Sequence, residues 1–184
     1  MRKLFGFILT FIISLSVFSA EITGEVVKVI DGDTIIIQNG EDRFKVRLAH
    51  IDAPELSQDC GQHAKTTLSI LCESKNVYVE FHQIDMYGRI IGTIYLKKGL
   101  WNMYMESSNI NKAMVEHGCA WWYEEFSNDP EYAALQAKAK KEEMGIWAKH
   151  WETCIPPWEY RKNKLKARKE RLKITTQIFQ NMVN

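Results

Sequence analysis

Between residues 21 and 48 the apolar positions come in short β-branched runs separated by polar pairs. Val26, Val27, Val29 and Ile30 form one run, and Thr34 to Ile37 form a second. Phe44, Val46 and Leu48 then alternate with Lys45 and Arg47. These patterns predict strands over 21–30, 34–38 and 44–48, with Asn39-Gly40 as a hairpin turn. The alternation puts Arg47 on the face opposite Phe44, Val46 and Leu48. Pro54 breaks the pattern. From 61 to 74 the spacing becomes helical, through Ala64, Leu68, Leu71 and Cys72. Alternation resumes over 77–82, Tyr87-Gly88-Arg89 makes a turn, and 90–96 reads as another strand. Two more helices are expected. One runs over 109–117 and is closed by Gly118. The other runs over 130–144, after the Asn128-Asp129 cap, and stops at Gly145. Three strands, a helix, two strands and two helices make an α+β chain. The order is that of a five-stranded OB-fold β-barrel with three α-helices.

The first twenty residues are of another kind. A basic start, Met1-Arg2-Lys3, precedes an apolar run of fifteen and then Ser19-Ala20. That is the layout of a secretory signal peptide, cut after Ser19 or after Ala20. A retained N-terminal anchor is the other reading, and only then would the chain meet a membrane. The expected organisation is 1–20 as signal or anchor, 21–150 as the folded domain, and 151–184 as a Trp/Pro segment with a basic C-terminal tail. A secreted or periplasmic location follows from the leader.

Charge changes the picture at the other end. Residues 21–160 carry 14 Lys+Arg against 22 Asp+Glu, whereas 161–184 carry 8 against 1. An acidic body is not that of a passive phosphate-backbone binder, and carboxylates gathered for a divalent cation would add to such a count. The tail's like charges read first as a solvated helix or frayed extension. Cys60, Cys72, Cys119 and Cys154 include no C-x-x-C pair, which argues against a zinc ribbon. In an oxidising compartment they allow one or two disulfides, with the pairing left open. Cys72 and Cys119 lie among apolar neighbours, as buried thiols do. The five histidines show no H-x-H or H-x-x-x-H spacing, so a histidine-based metal site is not expected.

Four stretches carry chemistry: Asp31-Gly32-Asp33-Thr34, Arg47, Asp52-Ala53-Pro54-Glu55 and Asp85-Met86-Tyr87-Gly88-Arg89. Each alone has an ordinary structural explanation. If the first three strands form a meander, Asp33 and Asp52 meet at adjacent strand ends. Two carboxylates, a carbonyl and water then suit Ca²⁺ or Mg²⁺. Two arginines can hold a phosphodiester and stabilise the charge of five-coordinate phosphorus. A nearby glutamate can orient or deprotonate water.

The ordered set VIDGDT, RLAHIDAPE and DMYGR resembles the thermonuclease, or staphylococcal-nuclease-like, family over roughly residues 21–150. The segment Pro156-Pro157-Trp158-Glu159-Tyr160-Arg161 resembles the extension that follows this domain in bacterial members. The resemblance implies an OB-fold and Ca²⁺-dependent hydrolysis of DNA and RNA, leaving 3′-phosphate ends. Single-stranded substrate is expected to be preferred, and the protein to be a monomer. Carried over by motif, Asp33, Asp52 and the Ala53 carbonyl would hold calcium. Arg47 and Arg89 would bind the scissile phosphate, and Glu55 would act as general base or position the water. Asp31 and Thr34 would support the ligands, and Tyr87 would lie near a nucleotide phosphate. A substrate-facing tyrosine falls near 121–123, at Tyr123, with Trp122 as the other choice.

The sequence departs from the family pattern in places. Ala53 replaces the threonine of the best-known member, Met86 replaces a basic residue, and the loop from 55 to 61 is short and lacks lysines. Residues 100–107 look like an insertion. Trp147, Trp151 and Trp158 are expected to pin the C-terminal segment to the barrel. The competing reading is a catalytically inactive OB-fold module that binds nucleic acid or protein. The retention of all five catalytic and ligand positions favours the enzyme.

Overall fold

The computed structural model describes residues 20–96 and 109–183. The leader at 1–19 and the insertion expected at 100–107 lie outside the described residues. Strands β1 (Ala20–Val29), β2 (Thr34–Asn39) and β3 (Asp42–Leu48) form an antiparallel meander. A two-residue strand, β4 (Ile51–Asp52), follows, and then helix α1 (Gly61–Cys72). Strands β5 (Asn76–Ile84) and β6 (Ile90–Leu96) pair with each other, and β5 returns to β1. The barrel closes in the order β1-β2-β3-β6-β5. Its last seam, β3 to β6, is parallel and joins Val46–Leu48 to Ile90–Gly92.

Alternation explains the interior. Ile35 and Ile37 of β2, Val46 and Leu48 of β3, Val77 and Val79 of β5, and Ile94 of β6 all point inward and are buried. The β1–β2 register slips between Val26 and Lys28, and the β5–β6 register between Phe81 and Gln83. Bulges of this kind add the twist a small closed barrel needs.

Helix α2 (Ile110–Glu116) starts where the Asn109 side chain accepts a hydrogen bond from Lys112 N. Helix α3 (Pro130–Lys141) starts with Asp129 capping Glu131 N and proline in the first turn. The helix ends meet at Gly118 and Gly145, both with positive φ. A side chain on either would run into the other's backbone. Between them lies the short strand β7 (Trp121–Trp122), paired with β4.

The expected elements are present, with ends moved by a few residues. One addition was not legible, and one open alternative is resolved. The β4–β7 pair is too short to leave a pattern. The basic tail is a fourth helix, α4 (Pro157–Val183), and not a frayed end. Most of α4 is exposed, as the solvated reading holds, but its first turn is not: it packs beside the barrel. Among the described residues no helix is long and apolar enough to cross a membrane.

The pairing of the cysteines resolves as Cys60–Cys154, with Cα atoms 6.0 Å apart. Cys72 and Cys119 are buried free thiols. Burial pushes the Cys72 thiol up to about 12, which disfavours its thiolate. The Trp segment docks as expected. Cys60, Trp121 and Ile146 form a second apolar cluster, against which Trp147, Trp151 and Trp158 pack.

One buried side chain fastens α2 to the barrel seam. Asn111 accepts from Ile94 N at 3.0 Å and donates to Ala49 O and Gly92 O at 2.9 and 3.1 Å. Its replacement by alanine takes the Asn111 partner from Ile94 N and Ala49 O, while Gly92 O keeps Ala49 N at 2.8 Å. Asn111→Ala is expected to cost about 2–4 kcal/mol, seen as a lower urea midpoint with an unchanged m-value.

Candidate active site

The turn between β1 and β2 is pressed onto the loop after β4. A Cβ on Gly32 would come within 2.7 Å of Ala53 Cβ and 2.8 Å of Ala64 Cβ. The missing side chain lets the Asp31–Asp33 turn settle on Ala53 and α1. The Asp33 backbone carbonyl accepts from Leu48 N at 2.8 Å, which locks the turn to the end of β3. Asp33 Oδ2 accepts from Ala53 N at 3.0 Å, and Oδ1 from the Thr34 hydroxyl at 2.9 Å. Asp31 Oδ1 accepts from Asp33 N at 3.1 Å, an Asx-type turn.

Arg47 lies at the centre. Its Nη1 is 2.6 Å from Asp33 Oδ2, and its Nη2 donates to Asp52 Oδ1 at 2.8 Å. The first contact is a charge pair by distance only, for Nη1 is buried and makes no geometrically sound hydrogen bond. An arginine donor is thus held in the cavity with hydrogen-bonding capacity to spare. Arg89 reaches the same rim from the turn before β6. Asp85 takes its Nε at 2.7 Å and also accepts from the backbone of Tyr87 and Arg89. Among the described residues no hydrogen-bond partner meets the Nη groups of Arg89. Its guanidinium lies 5.5 Å from the Tyr87 ring centroid.

A single cavity of about 670 Å³ is lined by Asp31, Asp33, Thr34, Arg47, Asp52, Ala53, Glu55, Tyr87, Arg89 and Tyr123. The structure therefore brings every residue singled out from the sequence to one place. It adds Arg161, from the first turn of α4, which the sequence reading passed over. Arg161 Nη2 donates to Asp52 Oδ2 at 2.7 Å, and its Nη1 to Glu55 Oε1 at 3.0 Å. Its only signal in the sequence was its place at the head of the extension, where it could not be told from the basic residues that follow. Tyr123 is stacked face to face on Trp158, centroids 5.6 Å apart, rather than standing open. Trp121, the neighbour not assigned to substrate, is core, and Trp122 is half-buried.

The electrostatics are unbalanced. Asp31, Asp33, Asp52 and Glu55 face two guanidiniums, since Arg89 is already taken by Asp85. Burial pushes Asp52 above the usual carboxylate range, Arg161's hydrogen bond pulls it back, and the charge of Asp33 pushes it up again. Burial works against the charged form of Arg47, and Asp33 and Asp52 more than reverse that. We take the guanidiniums as charged throughout and the carboxylates as short of cation. The deficit is two charges, which one divalent cation would fill. Two hard carboxylate ligands and the Ala53 carbonyl fit Ca²⁺ or Mg²⁺. Among the described residues no three His, Cys, Asp or Glu side chains form a ready-made cage, so water would supply the remaining ligands.

Fold and site together define an OB-type barrel with an acidic, arginine-flanked cavity on its rim. The chain belongs to the staphylococcal nuclease homologue family, whose model matches residues 45–149. It is 38% identical over 164 residues to an "Uncharacterized endonuclease" of Escherichia coli, covering 89% of this chain and all of that protein. It is 40% identical over 141 residues to an "Uncharacterized endonuclease" of Haemophilus influenzae, covering 76% of this chain and 73% of the relative. A "Micrococcal nuclease" of Shigella flexneri is 33% identical over 145 residues, or 78% of this chain and 82% of the relative.

Asp31 gives a test of the charge imbalance. Burial and the neighbouring Asp33 raise it to about 6. Folding therefore favours its protonated form. That contribution to stability is present below the ordinary carboxylate range and lost as pH rises through about 6. Asparagine keeps the acceptor for Asp33 N and cannot ionise. In EGTA, Asp31→Asn is expected to raise the thermal midpoint at about pH 8 and leave it nearly unchanged at about pH 3.5.

Proposed function

We propose that this chain is an exported, Ca²⁺-dependent nuclease that hydrolyses phosphodiester bonds of DNA and RNA and leaves 3′-phosphate ends. The observation that carries the reading is Arg47, paired with both Asp33 and Asp52 in a cavity that also holds Glu55 and Arg89. The relatives named endonuclease and micrococcal nuclease support it. A binding module would have no use for a buried guanidinium spanning two carboxylates opposite a half-exposed glutamate.

In this mechanism the phosphodiester lies between Arg47 and Arg89, whose donors are directed at its non-bridging oxygens. Asp33, Asp52 and the Ala53 carbonyl would hold the cation, which supplies positive charge beside the phosphate when bound. Glu55 takes a proton from the attacking water as its oxygen bonds to phosphorus. The bond to the 5′ oxygen breaks, and that oxygen takes up a proton from solvent water as it leaves. The arginines stabilise the charge that builds on phosphorus. Tyr87, exposed on its turn, is placed to meet a neighbouring nucleotide, and Tyr123, backed by Trp158, forms part of the cavity wall. Single-stranded substrate is the expected preference.

Export is supported by the leader-like N-terminus and by a disulfide, which persists in oxidising compartments. Cleavage of the leader would release the protein as a monomer, and retention would anchor it.

Purified protein is expected to degrade single-stranded DNA and RNA with Ca²⁺ and to stop when EGTA is added. Product ends should resist extension by a polymerase until a 3′-phosphatase is applied. Arg47→Ala and Arg89→Ala should each lower kcat by about a hundredfold or more. Arg47→Ala should also lower the thermal midpoint in EGTA, since it leaves two buried carboxylates facing each other. Wild-type rates in both variants, or no cleavage with any divalent cation, would remove the mechanism.

A further inference from the structure

The loop that carries Glu55 is zipped to the C-terminal segment along its whole length. The Thr153 hydroxyl donates to Asp59 at 3.2 Å, and Cys154 is bonded to Cys60. Gln58, itself buried, accepts from Glu55 N at 2.9 Å and donates to Ile155 O at 2.8 Å. The Tyr160 hydroxyl reaches Ser57 O and Oγ at 3.2 and 3.0 Å. Arg161 ends the series on Glu55 and Asp52. Turn bonds from Gln58 N to Glu55 O and from Gly61 N to Gln58 O hold the loop backbone, and Arg161 holds the Glu55 carboxylate.

We propose that Arg161 is a positioning residue of the active site, and that residues 153–161 are an in-chain clamp that sets the direction of the Glu55 carboxylate. The proposal rests on the nuclease reading. Asp52, almost wholly buried, anchors one edge of the guanidinium. Nη1 is shared: it donates to Asp52 Oδ1 at 3.3 Å and, more closely, to Glu55 Oε1 at 3.0 Å, and Glu55 is otherwise half-exposed. The planar fork does what a point charge cannot: it fixes both carboxylates relative to each other. The Cys60–Cys154 bond and the stacking of Trp158 on Tyr123 hold the helix end so that the fork arrives in place. The basic tail therefore begins as part of the site, whatever its distal turns do.

The test compares wild type with Arg161→Ala, Arg161→Lys, and Cys60→Ser with Cys154→Ser, on single-stranded DNA with Ca²⁺. Misplacing a catalytic group by about an ångström costs up to a hundredfold. Arg161→Ala is expected to lower kcat by about tenfold to a hundredfold with KM within about twofold. Lysine should recover only part of that loss. In a Glu55→Gln background, Arg161→Ala should have no further effect on kcat, because the arginine acts through the glutamate. A full additional loss in that background would mean that Arg161 acts through Asp52 or on the substrate itself rather than through Glu55, and would overturn the proposal. So would an unchanged kcat in Arg161→Ala.

Hydrogen exchange supplies a readout that needs no activity. Amides of residues 55–60 should exchange faster in Arg161→Ala and in the double serine variant, while barrel amides in β2 and β3 stay protected. Unchanged exchange in the loop would overturn the clamp even if the wild-type protein proved inactive. Conversely, an inactive wild type with faster loop exchange in the variants would sink the nuclease reading and leave the clamp standing.

Discussion

Three residue pairs between β3 and β6 decide the architecture. Without them the five strands would form an open sheet with two bare edges, each a row of unpaired backbone groups. With them the sheet closes, and because this parallel pair is staggered, the end of β3 meets the start of β6. Arg47, near the end of β3, is in register with Ile91. Arg89 sits one residue before β6 begins. Two arginines 42 positions apart in the chain thus reach the same rim through backbone pairing, not through any attraction between them. Asn111 reinforces the seam from outside by taking up the carbonyls of Ala49 and Gly92.

The rim gathers negative charge against its own repulsion. Ordinary side-chain packing would scatter Asp31, Asp33, Asp52 and Glu55. They are held instead by backbone donors: Ala53 N for Asp33, Asp33 N for Asp31, and the turn that Gly32 allows to lie flat. Arg47 and Arg161 relieve part of the repulsion and leave a remainder. The carboxylates are preorganised against their own repulsion, and in the proposed mechanism a cation and a phosphate would meet fixed partners rather than reorganising ones.

Most of this could be read from the chain. Strand alternation located the barrel, and alternation alone turned Arg47 away from the core. The spacing of Asp33, Asp52, Glu55 and Arg89 became meaningful once those strands were ordered. What escaped was whatever depends on contacts remote in sequence. The β4–β7 pair has two residues per strand, too few for a period. Asn111 looks like any polar residue in a helix until its three backbone partners are in view. Four cysteines could not announce their pairing. Arg161 was hidden by its neighbours, since seven further basic residues follow it before position 174. Only its neighbours in space separate it from them.

The disulfide has an effect that does not depend on the native site at all. It joins positions 94 apart, so even the unfolded chain is a large covalent ring with two free arms. The N-terminal arm holds the β1–β3 meander with Asp33, Arg47, Asp52 and Glu55, and the C-terminal arm holds Arg161. Closing a loop of that size removes conformational entropy from the unfolded ensemble equivalent to about 4–5 kcal/mol. It also keeps the two arms rooted at one point while the barrel is not yet formed. The chain can lose its fold without separating the pieces of its active site, and it begins refolding with those pieces already gathered.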